Sequence, residues 1–469
     1  MKPFKRDSFI NDVCNDRYVL VVGSEVILDK EKFSSEKGDV MQYILDTINI
    51  ELGREERPYK DLNTMVASRP SETIEDEKSG TDLIYDAIGY DAEKDVYNGF
   101  IDVEDMSPEL DSLLRTRLFR LVMTTTFDDC LERLMEDIWG DRLRVVNIAD
   151  TIDWARFLGE VKDSIDTTKP WETVYRYNRP TLIYIFGKAR ENMNFVKTEN
   201  DAIWFIERWM KSEDYFMDMI KKRRILALGC KFDDWYFRFF WYILKRDLSK
   251  LGNGEVALSL SEGNEIDKNL KGFLSRKHIF HHPDARQFMR DISNMLSPES
   301  HTPESQAFHD ILLSRRGSGE IFLSYCSRDF ALASKLFFQL TDMGFNVWFD
   351  HEKLCGGDYN SEIKKAINQA SVVITLLTDE VAKDLVKGDA AHYYNEEWKI
   401  ASQPGCQRII PLAANGYDLR ATYHIKSENA DQITYENIIK GQADGIDLMV
   451  DDIDQLAKVI EKIKNNNRQ

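Results

Sequence analysis

The sequence Glu320-Ile321-Phe322-Leu323-Ser324-Tyr325 places a short apolar run directly before polar residues. A continuous apolar segment of this length, bounded by a turn, is typical of a strand buried in a parallel sheet. Asp329 follows, and the apolar residues after it recur at helical spacing as far as Gly344, a residue type that commonly ends helices. The stretch therefore predicts a strand and a helix, which together begin an α/β domain.

Three further apolar runs continue this pattern towards the C-terminus. Residues 345–350, 371–377 and 408–412 are predicted strands, with a helix between the first two. Residues 452–464 are predicted to form an amphipathic last helix. This alternation of strands and helices predicts a flavodoxin-like parallel sheet for residues 319–469.

The N-terminal part of the chain shows the same alternation over a longer distance. Predicted strands lie at residues 18–23, 119–123, 144–148, 182–187, 225–229, 256–260 and 278–280. Residues 30–110 are weakly patterned and include an acidic segment that is interpreted as a loop. We predict a doubly wound parallel sheet for residues 1–296 and a polar, proline-containing linker at residues 297–318.

The composition narrows the class of protein. A chain of 469 residues with 43% hydrophobic and 30% charged residues is expected to form two or three globular domains. The net charge of -19 opposes non-specific binding to nucleic acid or to an anionic membrane. The 6 cysteines include no Cys-x-x-Cys pair, and no apolar run approaches the ~20 residues of a membrane helix. We expect a cytoplasmic protein without a metal site.

The C-terminal domain resembles the Toll/interleukin receptor (TIR) domain. Residues 322–325 match the opening box of that family, and Asp350 with the Gly356-Gly357 pair matches the loop after its second strand. Tyr393 and Glu397 match the aromatic-x-x-x-Glu pattern of NAD-cleaving members, in which tryptophan usually stands at the first position. An aromatic ring is retained here, so stacking on nicotinamide remains available.

This resemblance implies which residues form the site. Glu397 would be the catalytic carboxylate; spacing alone leaves open that it is an ordinary solvated helix residue, as Glu396 is interpreted to be. The implied substrate-binding residues are Ser324, Tyr325, Asp350, Leu354 and Tyr393. Cleavage between nicotinamide and ribose passes through an oxocarbenium-like state, which a nearby carboxylate stabilises. NAD would be the substrate, and no additional cofactor is expected.

The N-terminal domain resembles the sirtuin-like domains of bacterial defence proteins, most closely at residues 124–128 and 229–235. Three positions depart from that family: Thr126 replaces its catalytic Asn, Phe186 replaces its catalytic His, and Gly23-Ser24-Glu25 replaces its Gly-Ala-Gly turn. A benzyl ring cannot transfer a proton, so general-base chemistry is lost at Phe186. We interpret the domain as non-catalytic. Nucleotide binding, sensing of a trigger, scaffolding and residual activity remain alternatives.

Together the two resemblances imply an NAD-cleaving effector of antiphage defence. The TIR domain would hydrolyse NAD to nicotinamide and ADP-ribose when protomers assemble into a homo-oligomer, and the sirtuin-like domain would regulate or scaffold that assembly. A phage-derived or nucleotide trigger is implied. Three alternatives remain at this point: a synthase of a cyclic ADP-ribose product, a non-enzymatic TIR adaptor, and NAD cleavage by the N-terminal domain itself.

Overall fold

The computed structural model of the chain divides into two compact units. The first contains Met1–Phe4, Asp16–Arg115 and Phe119–Arg290, and the second contains Lys5–Asn15, Thr116–Leu118 and Asp291–Gln469. The structure describes residues 9, 12–14, 17–54, 56–69, 78–163, 179–212, 214–221, 223–231, 234–244, 255–258, 272, 279–282, 284–296, 320–349, 359–378, 408–413, 456–458 and 460. The predicted linker at residues 297–318 lies outside them, so the domain boundaries remain a prediction.

A seven-stranded parallel sheet forms the centre of the first unit. The strands of this unit are β1 (Tyr18–Val22), β2 (Tyr90–Asp91), β3 (Val96–Tyr97), β4 (Leu121–Thr124), β5 (Arg144–Asn147), β6 (Thr181–Tyr184), β7 (Arg224–Leu228), β8 (Glu255–Leu258) and β9 (Ile279–His282). Strands β2 and β3 form a separate antiparallel hairpin, and the others lie in the order β5-β6-β4-β1-β7-β8-β9 with parallel pairing. The chain first extends the sheet from β1 towards β4 and later continues from the opposite side of β1, at β7. The prediction of a doubly wound sheet is confirmed.

Helices pack around this sheet. Up to residue 295 they are α1 (Val40–Glu51), α2 (Leu62–Ala67), α3 (Gly80–Ala87), α4 (Pro108–Arg115), α5 (Cys130–Trp139), α6 (Thr151–Asp163), α7 (Glu199–Met210), α8 (Asp214–Lys221), α9 (Trp235–Leu244) and α10 (Ala285–Met295). The first three lie in residues 30–110, which showed little periodicity in the sequence. Side-chain caps begin α1, α2 and α3: Asp39 and Asp61 accept hydrogen bonds from first-turn amides, and Ser79 forms a capping box with Asp82.

The second unit contains a four-stranded parallel sheet in the order β11-β10-β12-β13. Its elements are β10 (Ile321–Ser324), α11 (Phe330–Asp342), β11 (Val347–Phe349), α12 (Tyr359–Gln369), β12 (Val372–Leu377) and β13 (Arg408–Ala413). This strand order is that of a flavodoxin-like fold and confirms the prediction. Gly344 has a φ of +88°, a left-handed conformation that glycine adopts without strain where α11 ends.

The burial of the strands explains why they were recognisable in the sequence. Each residue of β1, β6, β10 and β12 is buried, so these strands carry apolar side chains on both faces instead of an alternating pattern. Of the predicted last helix, residues 456–458 and 460 are described and are helical. No helix in the described ranges is long and apolar enough to cross a membrane.

Candidate functional site

In the second unit, the strand order reverses between β10 and β12. The chain passes from β10 to β11 on one side of the sheet and then to β12 on the other. Ligands of open α/β sheets bind beyond the carboxyl ends of the strands at such a reversal. Ser324 ends β10 at this edge, is 2% exposed, and lies in register with Thr375 of β12. The reversal therefore creates a candidate crevice next to Ser324.

Tyr325 follows Ser324 and contributes an aromatic surface to this edge. Its half-buried ring stacks on Phe349 at the end of β11, with the ring centroids 5.0 Å apart and an interplanar angle of 2°. The Phe330 ring lies 6.4 Å from Tyr325, measured between centroids. Packing against two rings restricts the rotamers of Tyr325 and so fixes its position at the crevice.

A buried hydrogen bond joins the end of β12 to the start of α11. Thr378, directly after β12, donates its hydroxyl proton to the carboxylate of Asp329, with an Oγ1–Oδ2 distance of 2.6 Å. Asp329 precedes α11 but makes no side-chain capping bond to that helix. Sequence reasoning interpreted Asp329 only as a helix start and did not single out Thr378. Thr378 directly follows the predicted strand at residues 371–377, and this position is the sequence signal that could have identified it.

The structure describes two of the six predicted site residues. Ser324 and Tyr325 lie at the carboxyl edge of the sheet. The others, Asp350, Leu354, Tyr393 and Glu397, fall outside the described residues. Their roles remain predictions.

In the first unit, Phe186, which stands where the sirtuin-like family has its catalytic His, is part of the apolar core. The ring of Phe186 is 1% exposed, and its centroid lies 5.1 Å from that of Tyr236 and 5.5 Å from that of Phe240. Thr126 is also buried, and its hydroxyl oxygen lies 3.0 Å from that of Thr124. The side chains at these two positions therefore pack and form local hydrogen bonds, and neither supplies a general base.

The turn after β1 is filled by the polypeptide itself. The amide of Gly23 donates to the carbonyl of Leu228 at 2.8 Å, and the amide of Glu25 donates to the carbonyl of Gly229 at 3.2 Å. A Cβ atom at Gly23 would lie 2.2 Å from the Gly229 oxygen, so only glycine allows this contact. Because these two amides already donate to carbonyls, they are not available to a phosphate as in a dinucleotide-binding turn.

An ionic network lies beyond β4 and β6. Glu132 accepts hydrogen bonds from Lys188 at 2.7 Å and from the Tyr184 hydroxyl at 2.9 Å. Nearby, Arg133 forms an ion pair with Asp129 at 2.9 Å. Burial nevertheless raises the pKa of Asp129 to about 6, since the low-dielectric surroundings disfavour its charged form more than Arg133 favours it.

The Asp129→Asn variant is expected to reduce the pH dependence of stability. The unfolded chain loses the Asp129 proton near pH 3.8, and the folded chain retains it until about pH 6. The stability that Asp129 contributes is therefore complete at low pH and is lost as pH rises through this window, by about 2–3 kcal/mol. Urea unfolding at pH 4 and pH 7 measures the change. Asp137→Asn is the control, because that carboxylate, on helix α5, which begins directly after Asp129, is 53% exposed.

Comparison with known proteins confirms the predicted pair of domains. Residues 321–446 match the family model for the TIR domain, and residues 120–281 match the family model for the SIR2-like domain. The first match contains β10–β13 and also Tyr393 and Glu397; the second contains β4–β8 and both Thr126 and Phe186. No curated protein matches the chain significantly.

Proposed function

We propose that the TIR domain cleaves NAD and that Glu397 is its catalytic carboxylate. The supporting observation is the pairing of Tyr393 and Glu397 in an aromatic-x-x-x-Glu pattern within the segment that matches the TIR family. The sheet of this domain has a strand-order reversal, with Ser324 and Tyr325 at its carboxyl edge. Open α/β sheets generally bind ligands at this edge, which supports the proposal.

The proposed reaction is hydrolysis of the bond between nicotinamide and ribose. As this bond breaks, its electron pair leaves with nicotinamide, which departs as a neutral base, and positive charge develops on the ribose. The Glu397 carboxylate stabilises that charge, as carboxylates do in glycoside hydrolysis. Water adds to the ribose carbon and releases one proton, so the products are ADP-ribose, nicotinamide and H⁺. Tyr325 and Tyr393 provide aromatic surfaces for the substrate.

The SIR2-like domain is proposed to regulate or scaffold this activity. Two features support a non-catalytic role: Phe186 is buried among aromatic rings, and the Gly23 turn is occupied by the backbone of Gly229. We further propose that protomers assemble into a homo-oligomer in response to a trigger, and that assembly activates NAD hydrolysis in antiphage defence.

Purified full-length protein is expected to consume NAD at a rate that rises more steeply than linearly with protein concentration. Such a dependence follows if only assembled protomers have complete sites, since the assembled fraction increases with concentration. Chromatography of the products over a concentration series is the measurement. Formation of ADP-ribose and nicotinamide supports hydrolysis. Formation of a cyclic ADP-ribose product would instead support the synthase alternative. Absence of NAD loss at every concentration, and after addition of phage lysate, would favour the adaptor.

A further inference from the structure

A cleft in the first unit lies away from the strand-order reversal at β1. It opens beyond the carboxyl ends of β5 and β6, is bordered by the first turn of α6, and has a volume of about 440 Å³. Small-molecule sites typically enclose about 300–1,000 Å³. The carboxyl edge of a parallel sheet is also where α/β folds bind ligands. The size and place of the cleft therefore suit a small ligand.

The floor of the cleft carries an amide donor without a strong acceptor. Asn147, at the end of β5, is 9% exposed, and its Oδ1 accepts hydrogen bonds from the amides of Ala149 and Lys188. These bonds fix the orientation of its side chain. Its Nδ2 points to the thioether sulfur of Met193 at 3.4 Å, which is a weak acceptor. A ligand oxygen would be a better partner for this buried donor.

The acidic side chains of the cleft wall are already engaged. Glu132 binds Lys188 at 2.7 Å, and Asp153 forms an ion pair with Arg144 at 2.6 Å. Asp150 caps helix α6 by accepting hydrogen bonds from two amides of its first turn. These contacts offset the negative charge that the wall would otherwise present to a ligand.

Two arginines of the same cleft form few or weak hydrogen bonds and ion pairs. In the part of the chain that the structure describes, Arg156 of α6 makes no hydrogen bond or ion pair, and its side chain is exposed. Arg190, in the loop after β6, lies 3.7 Å from the carboxylate of Asp95, which is itself 58% exposed. An exposed ion pair of this length contributes little energy. The guanidinium groups of Arg156 and Arg190 are therefore both available to an anion.

We infer that this cleft binds a small organic anion through Arg156, Arg190 and Asn147. All three side chains are donors, and the planar guanidinium groups match the oxygens of a carboxylate or a phosphate. Val145, Ile152 and Met193 add apolar surface, which suits a compact organic body attached to the anionic group. The ligand class is therefore a phosphate- or carboxylate-bearing metabolite. This inference does not depend on NAD cleavage by the TIR domain.

Isothermal titration of the full-length chain with matched probes tests the inference. Adenosine monophosphate is compared with adenosine, and phenylacetate with phenylacetamide, so that each pair differs in the anionic group; inorganic phosphate tests that group alone. At least one organic anion is expected to bind more tightly than its neutral counterpart. The pair in which this occurs distinguishes a phosphate-bearing from a carboxylate-bearing ligand. Arg156→Ala and Arg190→Ala are each expected to weaken that binding about tenfold.

Lys162→Ala is the matched control, because it removes one positive charge from the exposed last turn of the same helix α6, outside the cleft. Binding to Lys162→Ala is expected to equal that to the unmodified chain. The inference is overturned if no anion binds at millimolar concentration, or if binding is the same for anions and neutral counterparts. It is also overturned if the Arg156→Ala protein binds as tightly as Lys162→Ala. Arg156 is exposed, so its replacement tests binding without disturbing the core.

Discussion

Replacement of Glu397 by Gln is expected to lower the rate of NAD cleavage by at least about 100-fold. Gln has nearly the same shape as Glu but carries no charge, so the variant removes the electrostatic stabilisation of the oxocarbenium-like state and little else. Groups that stabilise charge only in the transition state typically contribute about 10²–10³-fold to the rate. The loss should therefore fall on kcat, with KM for NAD changed much less.

Glu396→Gln is the control for this prediction. It removes the same charge from the adjacent position, which we interpret as a solvated residue. Initial rates over a range of NAD concentrations, at a protein concentration where the unmodified chain is active, give kcat and KM for both variants. Equal loss of activity in the two variants would indicate a general effect of charge on folding or assembly. Unchanged activity in Glu397→Gln would show that the carboxylate lies elsewhere and would make the SIR2-like domain the next candidate.

The sequence was sufficient to predict the strands of both sheets, because buried parallel strands carry continuous apolar runs. Strands β1, β6 and β12, buried at each residue, were all recognised in this way. The lateral order of the strands was not predictable, since periodicity within a strand does not specify its neighbour. In the first sheet β6 lies between β5 and β4, so the chain passes the position next to β4 and returns to it later.

For the candidate sites as well, the sequence predicts local elements but not which residues lie next to each other. Ser324 and Tyr325 were identified by the resemblance to the TIR family, and both lie at the end of the first predicted strand of that domain. The hydrogen bond between Asp329 and Thr378 joins positions 49 residues apart, and the ion pair between Lys188 and Glu132 joins positions 56 residues apart. Such pairs form where residues that follow strands meet residues at the starts of helices, at one edge of a sheet. A sequence pattern predicts that edge but does not predict which side chains meet there.

The Phe186→Ala variant is expected to destabilise the first unit by about 3–5 kcal/mol, the usual cost of removing a buried phenylalanine ring. The ring is 1% exposed and has edge-to-face contacts with Tyr236 and Phe240, so its loss leaves a cavity and removes those contacts. Guanidinium unfolding followed by tryptophan fluorescence reports on this unit, since seven of the nine tryptophans precede residue 296. Phe239→Ala, at a ring that is 50% exposed, is the control and should cost far less.

The same environment predicts the outcome of restoring the histidine of the sirtuin family. In Phe186→His, an imidazole would be buried between aromatic rings, where a polar group without a hydrogen-bond partner costs about 1–3 kcal/mol. Desolvation also lowers the pKa of a buried imidazole, so the ring would stay neutral and inside the core. Phe186→His in the Glu397→Gln background is therefore expected to be less stable and to show no NAD cleavage. A gain of NAD cleavage in that double variant would instead show that the SIR2-like domain retains a functional substrate site, and that Phe186 alone keeps it inactive.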